Sequence, residues 1–168
     1  MNRQMTEFEL VESFSEALDK NYIYICLQPQ INHSTKQMIG AEALMRWNDP
    51  EFGIQFPGDF IPVMEKHDLI YRADLYVFEQ VCKFQREQID THAVIVPISV
   101  NLSRHDIVHK DYVDQLENIR RKYDIPVKYL RIEITESSAI GGMELVQTVL
   151  DNLHRCGYLV EMDDFGSG

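Results

Sequence analysis

Apolar positions fall in short runs separated by polar turns, and two periods take turns along the chain. Near the start, Phe8, Val11, Phe14 and Leu18 recur at helical spacing behind Thr6 and Glu9, residues spaced as a capping box. This predicts a leading helix that ends near Asn21. Residues 22–27 are β-rich. Pro29 within Gln28-Pro29-Gln30 should stop that strand or place it at a sheet edge, because proline has no N–H for the ladder. Residues 32–36 form a polar turn before the strand Ile39-Gly-Ala-Glu42-Ala-Leu-Met-Arg46-Trp47. After it, Pro50, Gly53, Pro57 and Gly58 predict a long irregular loop. Asp59 can cap a short helix through Glu65, and residues 71–88 carry a longer helical stripe of Leu75, Phe78, Val81, Cys82 and Phe84. Residues 93–102 read as a strand, with a helix from about His105 to Lys122. Residues 129–135 are a strand again, a helix from about Gly142 is closed by Gly157, and residues 158–162 open a last strand.

Strand and helix alternate, and the β-rich runs are mostly apolar on both faces. That pattern predicts parallel strands covered by helices, an α/β fold. With 168 residues, 45% hydrophobic and 26% charged, the chain suits one domain: a leading helix over residues 1–20 and an α/β portion over 22–168. The formal charge of −11 argues against wrapping DNA or RNA, though bound cations would still allow a small anionic ligand. Cys26, Cys82 and Cys156 are far apart and odd in number, which fits free thiols in a reducing compartment. No apolar run approaches the roughly 20 residues that span a bilayer, and the polar N-terminus is unlike a secretory signal. The expected location is the cytoplasm, or the cytoplasmic portion of a larger protein.

The chemistry-bearing residues sit late in the β-rich runs: Glu42, Asn101, Glu133 and Asp163, with Asp164 next door. Strand ends on one rim of a (β/α) barrel converge, so residues distant in sequence can share a site. Oxygen-only donors favour magnesium, manganese or calcium over zinc. Without cations, gathered carboxylates would repel and resist ionisation. Each residue also has a purely structural alternative. Glu42 could pair with Arg46, Asn101 could cap the next helix, Glu133 could pair with Arg131 or Lys128, and Asp163-Asp164 could begin a Gly-rich turn.

Ala41-Glu42-Ala43-Leu44-Met45-Arg46-Trp47 resembles the signature of the EAL family of bacterial cyclic di-GMP phosphodiesterases. The likeness continues in order through Gln28-Pro29, Phe60-Ile61-Pro62, Ser99-Val100-Asn101-Leu102-Ser103, Glu133-Ile134-Thr135-Glu136 and Asp163-Asp164-Phe165-Gly166-Ser167-Gly168. It implies a TIM-like barrel that hydrolyses cyclic di-GMP to linear pGpG with Mg²⁺ or Mn²⁺. By position it makes Glu42, Asn101, Glu133, Asp163 and Asp164 metal ligands, with Glu42, Asp163 and Asp164 at the catalytic centre. Gln28, Leu44 and Arg46 become substrate contacts, and Glu136 the anchor of the 163–168 loop. Ser167 stands where threonine is commoner and keeps the hydroxyl.

A (β/α)₈ barrel typically needs about 250 residues, so the resemblance further implies a C-terminally truncated domain. It would lack the family's later catalytic lysine and the last strands. The isolated chain is then expected to be inactive and to self-associate through its open edges, for instance as a homodimer. An upstream sensory or GGDEF-type domain is expected in the parent protein. A non-catalytic cyclic di-GMP receptor and a regulatory interaction module are the alternatives to an enzyme.

Overall fold

The computed structural model describes residues 3–135 and 143–163. Helix α1 (Glu7–Asp19) begins at the expected capping box: the Glu9 N–H donates to Thr6 Oγ1 at 3.3 Å, and the Thr6 N–H to Glu9 Oε2 at 2.8 Å. Its buried stripe is Leu10, Phe14, Ala17 and Leu18, while Phe8 is 73% exposed. Phe8 lies in the first turn, outside the face that the rest of the helix buries.

Strands β1 (Ile23–Ile31) and β2 (Met38–Asp49) form an antiparallel hairpin. Asn32 shapes its turn by accepting the N–H groups of Ser34 and Thr35, both at 3.0 Å. Pro29 does not stop β1. It pairs with Ala41, which the ladder tolerates because β1 is the first strand of the sheet. The long loop expected after Trp47 is instead a second tight hairpin, β2 to β3 (Gly53–Gln55). Asp49 makes it, its carboxylate accepting from Glu51 N–H at 2.9 Å and Phe52 N–H at 3.0 Å, while Gly53 supplies a φ of 79°.

Helices α2 (Pro57–Lys66) and α3 (Ile70–Asp90) lead to β4 (Ile98–Leu102), then α4 (Arg104–Ile107) and α5 (Tyr112–Lys122). The strand expected over 93–102 is therefore only its second half, because Pro97 cannot donate to a ladder. The helix expected over about 105–122 is broken by a turn in which Tyr112 N–H donates to the His109 carbonyl at 3.0 Å. Strand β5 (Leu130–Thr135), helix α6 (Met143–Cys156) and strand β6 (Leu159–Asp163) complete the described chain. Gly157, at φ +90°, releases the chain from α6 as expected.

The sheet order is β1-β2-β4-β5-β6, with β3 on β2. Among the described strands only β2–β4, β4–β5 and β5–β6 are parallel, so the expected strand–helix alternation begins after the opening hairpin.

The expectation of strands apolar on both faces is corrected by register. Ala41, Ala43, Ile98, Val100, Leu102, Leu130, Ile132 and Ile134 share one face, and all are buried. This outer face packs against helices, α3 touching β1, β2 and β4. The alternate positions carry Gln28, Gln30, Glu42, Ser99, Asn101, Arg131, Glu133 and Glu161. Strand side chains point alternately to opposite faces, so a single sheet has an apolar outside and a polar inside.

Candidate active site

Register brings the sequence-predicted residues together. Glu42 is level with Ser99, Asn101 with Glu133, Glu133 with Glu161, and Thr135 with Asp163. From β2 to β6 the site climbs by two positions at β4 and by two more at β6. Such a stagger is what tilted barrel strands produce, and each step is even. Glu42, Asn101 and Glu133 therefore stay on the inner face.

Their contacts are direct. Asn101 Nδ2 donates to Glu42 Oε1 at 2.9 Å, which leaves the Asn101 carbonyl oxygen available as a further donor atom. Gln30 Nε2 donates to Glu133 Oε1 at 3.4 Å from across the sheet. Glu133 is buried, at 6% exposure, where a carboxylate is costly without compensation. The cap of α4 is Ser103, not Asn101: its hydroxyl accepts the N–H groups of His105 and Asp106, both at 3.2 Å. Nor does Glu42 pair with Arg46. Four residues along a strand separate them by about 13 Å, and the Arg46 guanidinium donates instead to the Met45 carbonyl at 2.8 Å.

Leu44 and Arg46 line a cavity of about 240 Å³ together with Asn101, Ser103, Ile61 and Asp74. Gln28 stands on β1 directly opposite Glu42. The backbone of Asp163 ends β6, two positions beyond Glu161; its side chain, and Glu136 and Asp164 altogether, lie outside the described residues. Among the described residues no three His, Cys, Asp or Glu side chains form a group able to hold a metal by themselves. The donor set that is present, two carboxylates and an amide oxygen, is hard and all-oxygen. Such donors suit magnesium, manganese or calcium better than zinc.

Several residues of this face were not singled out as site residues in the sequence, Arg131 having been named only as a possible partner of Glu133. Arg131 reaches Glu161 at 3.2 Å, and its guanidinium passes over Gly40, where an added Cβ would lie 3.5 Å from it and 2.7 Å from Gln30 Oε1. Ser99, Arg131 and Glu161 each stand two residues before an expected ligand. Period-two spacing was the signal that could have found them.

The EAL domain family matches residues 11–168, and the chain belongs to that family. It is 31% identical over 162 residues to the bifunctional diguanylate cyclase/cyclic di-GMP phosphodiesterase MucR of Pseudomonas aeruginosa, covering 96% of this chain and 24% of that protein. It is 29% identical over 166 residues to the cyclic di-GMP phosphodiesterase PA2567 of the same species, covering 98% of this chain and 28% of that protein. Among solved structures, the MucR phosphodiesterase in complex with cyclic di-GMP superposes with a TM-score of 0.87 at 31% identity, covering 95% of this chain and 64% of that one. The chain thus spans about a quarter of these curated relatives and under two thirds of the solved chain. The described sheet and its helices are part of a TIM-like barrel of the EAL type.

Proposed function

We propose that this chain carries the metal-binding half of a phosphodiesterase that hydrolyses cyclic di-GMP to linear pGpG. The observation that carries the reading is the meeting of Glu42, Asn101 and Glu133 on the polar face of an otherwise apolar-packed sheet. Family membership supplies the substrate class, through relatives named for that activity. In this reading Glu42, Asn101, Glu133, Asp163 and Asp164 hold Mg²⁺ or Mn²⁺. When bound, such cations polarise a phosphodiester and activate water for in-line attack. The chain's own residues do the rest. The Asn101 amide holds Glu42 in place by donating to it, and Gln30 does the same for Glu133. Arg46 would take a phosphate of the dinucleotide at the mouth of the cavity, with Leu44 against its apolar parts and Gln28 reaching it from β1. Glu136 would anchor the loop after β6.

No described helix is long and apolar enough to cross a membrane. The proposed setting is the cytoplasm, in a larger signalling protein with a sensory or GGDEF-type region. The test is turnover of cyclic di-GMP by the metal-stripped full-length protein, with and without added Mg²⁺ or Mn²⁺. Metal-dependent pGpG release supports an enzyme. Tight binding without release in either metal would convert the reading to a receptor, and absence of both would leave an interaction module.

A further inference from the structure

Two carboxylates stand side by side on the inner face, and the structure turns them to different partners. Glu133 and Glu161 are level on the parallel neighbours β5 and β6, so their side chains leave one face from backbones about 5 Å apart. Like charges on facing strand positions repel. Gln30 Nε2 donates to Glu133 Oε1 at 3.4 Å, whereas Arg131 Nη1 donates to Glu161 Oε1 at 3.2 Å. One acid is thus held by an amide and the other by a guanidinium.

The guanidinium also fixes the direction in which Glu161 is drawn. It lies beside Gly40, the residue before Ala41, and Ala41 is level with Ile98 and through it with Leu130. That places it toward the N-terminal ends of the parallel strands, away from Asn101 and from the end of β6 at Asp163. Gly40 leaves the room this needs, since a Cβ there would meet Gln30 Oε1 at 2.7 Å and Arg131 Nη1 at 3.5 Å. Arg46 is the other cation of the inner face among the described strands, and its guanidinium donates to the Met45 carbonyl.

We infer that Arg131 withholds Glu161 from the cation bound by Glu133, and by keeping that carboxylate out biases the site toward Mg²⁺ over Ca²⁺. Mg²⁺ demands a compact octahedron and keeps several of its waters, whereas Ca²⁺ accepts roughly six to eight oxygens in a looser shell. A second carboxylate beside Glu133 adds both ligand number and negative charge, which favours the larger ion. Arg131 is thereby a positioning residue that acts through Glu161. The cation preference rests on the proposed metal site; the separation of the two carboxylates rests on the contacts alone.

The test titrates the full-length protein with Mg²⁺ and with Ca²⁺ by calorimetry, as wild type, Arg131→Met and Arg131→Met/Glu161→Gln. Both side chains of the pair are partly open, at 20% and 35% exposure, so the fold does not hang on it. The ratio of Ca²⁺ to Mg²⁺ affinity should rise about tenfold in Arg131→Met and return close to the wild-type value in the double variant. Luminescence lifetimes of bound Tb³⁺ in H₂O and D₂O count the waters on the ion, and Arg131→Met should hold about one fewer. An equal gain for both ions with no water lost would make Arg131 a distant charge only and overturn the inference. Melting without metal gives an independent readout. Arg131→Met should melt lower, because the freed Glu161 repels Glu133, and adding Glu161→Gln should recover most of the fall. No recovery would overturn the separation of the carboxylates. A wild type that takes up neither ion would overturn the proposed metal site and the cation preference with it. A wild type that binds both, with a ratio that ignores Arg131, overturns the preference and leaves the metal site standing.

Discussion

The two faces of the sheet are built from the same five strands, one residue apart, and do opposite work. On the outer face Ala43, Val100 and Ile132 stand level across β2, β4 and β5, each buried under helices. On the inner face, one position along, lie Glu42, Asn101, Arg131 and Glu133. Removing apolar surface from water contributes about 25 cal/mol per Å², so the outer face supplies cohesion. The inner face collects carboxylates that cost stability unless neighbours or cations compensate them. The comparison teaches that inner-face polarity is tolerated here because strand parity isolates it from the packing that holds the strands.

The strongest way to break that division is at Glu42 or Glu133. Either residue changed to Ala should lower metal-dependent turnover of the full-length protein by on the order of a hundredfold or more. The melting temperature without metal should be little changed or higher, since a repelling carboxylate has gone. A variant that keeps full activity after dialysis and magnesium addition would contradict the assignment.

The reverse substitution is Ile132→Ala on the outer face, at a residue with 0% exposure. It should cost about 2–5 kcal/mol in denaturant unfolding, while the folded fraction keeps its metal affinity. Weakened metal binding per folded molecule would show that the faces are not independent.

A smaller effect is expected from Arg131→Met. Glu161 would lose its partner at 3.2 Å, but both side chains are partly open, at 20% and 35% exposure. About 1 kcal/mol is the scale for such a pair. Chemical denaturation with a double-mutant cycle on Glu161 isolates it. Gly40→Ala should act on the same layer, because its new Cβ would sit 2.7 Å from Gln30 Oε1 and 3.2 Å from the Pro97 carbonyl. It displaces the amide that holds Glu133, so the metal affinity should fall more than the stability.

The least disruptive test sharpens the comparison with thiols. Cys26 is exposed on β1 opposite Leu44, whereas Cys82 is buried on α3 behind the outer face. Burial pushes the Cys82 thiol up to about 12. A thiol reagent near neutral pH should label Cys26 in the native protein and Cys82 only after unfolding. Equal native labelling would mean that the helical layer opens readily.

Much of this was legible in the chain. The capping box at Thr6 and Glu9, the glycine that ends α6 and the strands bearing Asn101 and Glu133 follow from local preferences, which act over a few residues. The ordered motifs also named Glu42, Asn101 and Glu133 as partners, because their residue types and spacing carry the family's pattern. Pro29 lies on an edge strand, one of the two outcomes its missing N–H allowed. The hairpin over residues 49–55 reads as a loop along the chain, because the turn that the Asp49 carboxylate makes with the N–H groups of Glu51 and Phe52 goes unrecognised there.

The sequence by itself determined the helices, the β-rich runs, the oxygen-donor chemistry and the family. Only the tertiary structure decided which side chains share a face, because a one-residue change of register would turn every strand over. The Asn101–Glu42 bond and the Arg131–Glu161 pair across Gly40 join residues 59 and 30 positions apart. No periodicity along the chain encodes such meetings; pairing of the strands creates them.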